Sequence, residues 1–205
     1  MSVDAPLALQ EEWIVCSIAA AVKYWVPANI VLAVAEKEGG RPGQWKPNRN
    51  GTHDVGSMQF NTAYLTDLAR YGITASDVAT AGCYSFDLAA WRLRQHLYHD
   101  KGDLWTRAAN YHSRTPQHNH VYRADLLRKA SKWADWLDAR FVTSDMFKAS
   151  PTQPPENNRQ VAEAGVKPQE VKAVDSKGKD SRLQHAKTEY VPRMLIASKQ
   201  SAKNP

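Results

Sequence analysis

Apolar residues recur at helical spacing along most of the first 140 positions. Leu9, Trp13, Cys16, Ala20 and Tyr24 mark a helix over 8–25. Pro27 suits the first turn of a second helix, Ala28 to Glu38, whose apolar positions include Ile30, Val31, Val34 and Ala35. Gly39, Gly40 and Pro42 stop it. From Gly39 to Val55 the residues are mainly Gly, Pro, Asn, Lys, Arg and Asp, with a turn signal at Asn50-Gly51. A loop of about 17 residues is long for a compact domain and suggests binding. Asn61 or Thr62 caps a third helix through Arg70, closed by Gly72, and Ser76 opens a short turn. Further helices are predicted over 85–98, from the cap Asp103 to about Tyr111, and over 120–140, where Leu126, Leu127, Ala130, Trp133, Trp136 and Leu137 keep the spacing. No stretch alternates at period two for long. The pattern predicts an all-α domain, with a small irregular hairpin at most in the 45–58 loop.

Composition limits how far that domain runs. All seven tryptophans lie between Trp13 and Trp136, and after Phe147 the only aromatic residue of the 205 is Tyr190. A core needs large apolar side chains to offset the entropy of ordering. The reading is therefore one domain over 1–144 and a disordered basic tail over 145–205, rich in Pro, Lys, Gln, Asn and Ser. The apolar cluster around Tyr190 to Ile196 reads as a docking motif or as chance. The tail holds eleven Lys and Arg against seven Asp and Glu, so it carries four of the six net positive charges. That charge serves solubility, or contact with nucleic acid, anionic lipid or an acidic wall polymer. No helix concentrates Lys and Arg on one face, which disfavours nucleic acid as the partner of the folded part.

Cys16 and Cys83 admit one disulfide or two free core thiols. The apolar run over 13–22 is preceded by Glu11 and Glu12 and lacks a cleavage pattern, so it reads as a core helix and not as an export signal. It is too short to span a bilayer.

Three segments carry candidate chemistry. Glu36 and Glu38 end an apolar helix, where the helix dipole disfavours an anion. A partly buried carboxyl there has a raised pKa and serves as an acid near neutral pH; two solvated surface glutamates would look the same in sequence. Asn48 to Asn61 is rich in small residues and amides, poor as core and suited to a polar surface. Asn110 to Pro116, with Tyr122 beyond, brings Tyr111, His112 and Ser113 together. His112, His118 and His120 match no zinc spacing, so no metal is expected.

Together, Glu38-Gly-Gly-Arg-Pro-Gly43, Asn50-Gly-Thr-His-Asp54, Gly56-Ser-Met-Gln-Phe-Asn61 and Tyr111-His-Ser-Arg-Thr-Pro116 resemble the soluble-lytic-transglycosylase (SLT) type of lytic transglycosylase. The likeness is greatest to the small members tied to conjugation, type IV pili and secretion systems, and it covers roughly residues 10–140. It implies the goose-lysozyme-like helical fold, and it places Glu38, not Glu36, at the catalytic position. Ser57, Met58, Gln59, Tyr111 and His112 would bind substrate, with Met58 against an N-acetyl group and Tyr111 reaching Glu38 or the sugar. Asp54 is the possible second carboxylate.

The resemblance also implies a Cys16–Cys83 disulfide and no cofactor. The partners would be peptidoglycan strands, and conjugation or secretion components through the tail. The place would be the periplasm or cell envelope, although no export signal is recognisable. Ser57, Phe60 and His112 depart from commoner family choices, which bears on substrate preference and leaves the acid in place.

Overall fold

A computed structural model of the chain describes residues 7–145 and 192–198. Seven helices dominate: α1 (Leu7–Tyr24), α2 (Ala28–Glu38), α3 (Thr62–Leu68), α4 (Ala75–Ala79), α5 (Tyr84–His99), α6 (Leu104–Ala109) and α7 (Pro116–Asp138). The strands are short: β1 (Trp45–Pro47), β2 (His53–Val55), β3 (Phe60–Asn61), β4 (Phe141–Asp145) and β5 (Arg193–Ser198). This is the helical make-up of an all-α lysozyme-like domain. Among the described residues no helix is long and apolar enough to cross a membrane.

The sequence of α2 explains its place. Every residue from Ala28 to Ala35 is buried, as expected for a helix that is apolar on all sides. Helices α1, α5 and α7 pack around it. Ile30, Val31, Leu32 and Val34 are at most 1% exposed, and burying each such side chain contributes about 1.5–3 kcal/mol over leaving it in water. Trp13 on α1 meets Trp133 on α7 edge-on, with ring centroids 5.2 Å apart. The disulfide between Cys16 and Cys83 is present and ties α1 to the start of α5.

Local chemistry sets the helix ends. The Asn61 side chain accepts the Ala63 N–H at the start of α3. Asp103 accepts from Trp105 and Thr106 at the start of α6. The short turn expected from Ser76 is α4, and its opening residue is Thr74, which shares a capping box with Asp77. Helix α7 begins at Pro116, four residues before the expected 120, because proline fits the first turn of a helix.

The 39–61 loop contains the hairpin, extended by one strand. β1, β2 and β3 form an antiparallel sheet in which Lys46 faces Asp54 and Asp54 faces Asn61.

The expectation of a disordered tail over 145–205 fails at its far end. Residues 193–198 form β5, which pairs antiparallel with β4, with a bulge between Val142 and Thr143. The Arg193 side chain bonds Asp138, and its backbone N–H donates to Asn29 Oδ1 at 2.9 Å. Asn29 lies on α2 and is fully buried. A buried amide oxygen gains from any correctly placed donor, and that donor lies 164 positions away. The cluster around 190–196 is thus, in its described part, a docking strand. Residues 146–191 lie outside the described residues.

Candidate active site

Three consecutive residues at the end of α2 engage α7 in antiparallel register. Glu36 accepts from Lys129 Nζ at 2.8 Å and from Trp133 Nε1 at 2.7 Å. Lys37 pairs with Asp125 at 2.7 Å. Glu38 Oε1 accepts the Tyr122 hydroxyl at 2.7 Å. These contacts separate the two glutamates. Burial raises the Glu36 pKa, but the bonds from Lys129 and Trp133 outweigh it and leave the carboxyl below its ordinary value. Glu36 is a structural anion holding two helices together.

Glu38 differs because its carboxyl is more deeply buried and has no cation bonded to it to offset that burial. Burial pushes its pKa up to about 7, opposed by the Tyr122 bond, by Arg92 and by Lys37, and reinforced by the Asp54 charge. The residue keeps a little solvent-accessible surface while protein surrounds its carboxyl. Such a group holds a proton near neutral pH and can release it, the property of a general acid.

Two glycines bring the loop against the acid. Gly39 ends α2 in the left-handed conformation, with φ 58°. A Cβ on Gly40 would lie 2.1 Å from the Gly56 carbonyl oxygen and 2.6 Å from Gln59 Nε2. Gly56 has φ +71°, and a Cβ there would lie 2.1 Å from Val78 O. The two glycines therefore let the backbones of the α2 end, the 56–59 turn and α4 approach closely.

The expected site residues fall into two groups. Gln59 stands beside Gly40, with a positive φ of 48° and its Nε2 donating to Gly56 O at 2.9 Å. Asp54 on β2 accepts from Asn61 Nδ2 at 3.0 Å, and its charge acts on Glu38. His112 is exposed and lies flat on the Tyr122 ring, with centroids 4.8 Å apart and planes 4° from parallel. Partial burial, then the charges of His118 and Lys37, hold its pKa below the ordinary imidazole value.

Met58 and Ser57 are different. Met58 is 0% exposed and Ser57 3%. The Met58 side chain packs in the core and offers no surface to an N-acetyl group. Tyr111 also departs from expectation, since its buried hydroxyl donates to Met58 O at 3.1 Å and not to Glu38. The tyrosine that reaches the acid is Tyr122. Its signal was its place on the apolar face of α7, four residues before Leu126, because a buried tyrosine hydroxyl needs a partner.

Arg92 on α5 was also missed. Its guanidinium lies 4.1 Å from the Tyr64 ring centroid and 4.8 Å from that of Tyr111. An apolar cleft of about 280 Å³ opens elsewhere, beside Tyr24, Leu68, Tyr84 and Trp91. Its carboxylate, Asp87, is held by Lys23 and the Tyr24 hydroxyl.

No family model matches the chain. It is 24% identical over 142 residues to the Invasion protein IagB of Salmonella typhimurium, in strains SL1344 and LT2, and of Salmonella typhi. The match covers 68% of this chain and 86% of each relative, a distant similarity.

Proposed function

We propose that the chain is a peptidoglycan lytic transglycosylase and that Glu38 is its acid and base. The observation that carries this reading is one carboxyl, enclosed at the end of a buried helix, raised to about 7 and bonded by a neutral hydroxyl. Glu38 donates its proton to the glycosidic oxygen between N-acetylmuramic acid and N-acetylglucosamine. The C1–O bond breaks, and the same carboxylate takes the proton of the muramic C6 hydroxyl as that oxygen closes on C1. The product is a 1,6-anhydromuramoyl end with no water added. Holding the hydroxyl near C1 supplies the effective molarity that a second carboxylate would otherwise have to replace.

The motif resemblance supports this substrate, and the distant likeness to proteins named for invasion supports work at a bacterial surface. The disulfide fits an oxidising compartment outside the cytoplasm. In this proposal residues 1–144, completed by β5, form the lytic domain. The enzyme opens the wall locally for a conjugation or secretion apparatus, which the basic tail contacts.

Asp54 favours a second reading. Its charge acts on Glu38, and a carboxylate that activates water would make the enzyme an inverting hydrolase. Mass spectrometry of digested sacculi decides between them. Anhydromuramoyl ends are expected. Reducing ends would indicate the hydrolase, and the absence of both would indicate a wall-binding protein without activity.

A further inference from the structure

The cations around Glu38 are not alike. Lys37 is ion-paired with Asp125 at 2.7 Å, a carboxylate that Arg128 also holds at 2.6 Å. Arg92 has no carboxylate partner among the described residues, and its Nε is buried without a hydrogen bond. Two rings hold it instead, Tyr64 from α3 and Tyr111. Phe60 packs beside both, with centroids 6.2 Å from Tyr64 and 6.3 Å from Tyr111. Holding a half-buried arginine against aromatic faces preserves its charge without cancelling it, because the rings offer only a quadrupole. The guanidinium thus carries an unneutralised charge, with its Nε shielded from solvent.

Its surroundings suggest a use. Tyr111, one wall of the clamp, bonds Met58 O in the turn whose Gly56 abuts Gly40, two residues from Glu38. The Arg92 charge acts on Glu38, His96, His112, Tyr64, Tyr111 and Tyr122. Of these, Glu38 is the only one that becomes an anion near neutral pH. Resting on the reading of Glu38 as the acid, we propose that Arg92 is a positioning residue: its clamped, unpaired guanidinium is the counter-charge for the Glu38 carboxylate that forms when the acid gives its proton to the leaving oxygen. The O–H bond of Glu38 breaks, the proton goes to the glycosidic oxygen, and the electron pair left on the carboxylate is stabilised by Arg92. The other groups facing the acid do this less well. Tyr122 from α7 gives a neutral hydrogen bond, Lys37 on α2 is shared with Asp125, and Asp54 from β2 opposes the anion.

The test needs no substrate, so it stands apart from the proposed activity. Carbon-13 NMR follows the Glu38 carboxyl through a pH titration in the wild type and in R92K, R92M and R92Q. The midpoint is expected to rise by about one pH unit or more when the charge is removed, and R92K should restore most of it. A Glu38 midpoint that stays in place in R92M and R92Q overturns the proposal, as does an R92K midpoint that moves as far as theirs. Should the neutral variants fail to fold, the wild type decides, because the Arg92 Nε nitrogen-15 signal must titrate at the Glu38 midpoint. A flat Nε signal would overturn the assignment. A coupled titration in a chain without lytic activity would sink the function and leave the Arg92–Glu38 pair intact.

Discussion

The Tyr122 hydroxyl donates to Glu38 Oε1 at 2.7 Å across 84 positions of sequence, and the Tyr122 ring carries His112 stacked on its face. One side chain thus links the acid to the exposed imidazole beside it. Burial raises the Tyr122 pKa well above its ordinary value, so it remains a donor through the physiological range. Tyr122→Phe removes the bond that steadies the ionised acid. The Glu38 midpoint should rise, and lytic turnover should fall roughly tenfold to a hundredfold, matching a charge-assisted bond of about 1.5–3 kcal/mol. Tyr111→Phe removes a bond to Met58 O and should cost stability while leaving the midpoint in place. Paired pH–rate profiles check both, and equal midpoint shifts in the two variants would refute the assignment.

Glu38→Gln should abolish lysis and keep the helical circular dichroism. It should also stabilise the fold above neutral pH. The folded pKa of about 7 lies above the ordinary carboxyl value near 4.5. Between those values the unfolded chain loses the proton and the folded chain keeps it, so stability falls as pH rises, and the penalty is complete above about 7. At pH 8 the amide variant should be more stable by roughly 3 kcal/mol, and at pH 4 the gap should close. Urea unfolding at the two values measures it. The same titration predicts wild-type activity that declines as pH passes about 7, because the acid is then ionised.

Gly40→Ala places a methyl group 2.1 Å from the Gly56 carbonyl oxygen. Backbone cannot step aside as a flexible side chain does, so the 56–59 turn must shift away from Glu38. We expect about 1–3 kcal/mol of destabilisation and a loss of turnover larger than that cost in stability explains. Activity measured well below the melting temperature separates the two, and full turnover there would show that the turn is not part of the site.

Ending the chain after Asp145 removes β5 and the Arg193 N–H that Asn29 accepts. Loss of that bond and of the β4 pairing should cost about 1–3 kcal/mol, lowering the melting temperature by several degrees. Calorimetry of the shortened chain checks this. An unchanged melting temperature would mean that β5 does not contribute to the fold.

By itself, the sequence determined the main helices and several of their ends. Helical periodicity marked α1, α2, α5 and α7, and Asn61, Asp103 and the Gly39-Gly40 pair marked ends, because capping and repeat are properties of neighbouring residues. Motif likeness singled out Glu38 and paired Cys16 with Cys83. Tertiary structure alone decided what those residues meet. Glu36 and Glu38 are two positions apart, yet one is an ion-paired strut held by Lys129 and the other is a carboxyl raised by burial and bonded only by the Tyr122 hydroxyl. Met58 and Tyr111 read as substrate contacts and lie in the core. Arg92 gained a role only when Tyr64 and Tyr111 closed on it, and β5 only when β4 and Asn29 stood ready to receive it. Charge state and burial depend on partners brought from far along the chain, and local pattern holds no record of them.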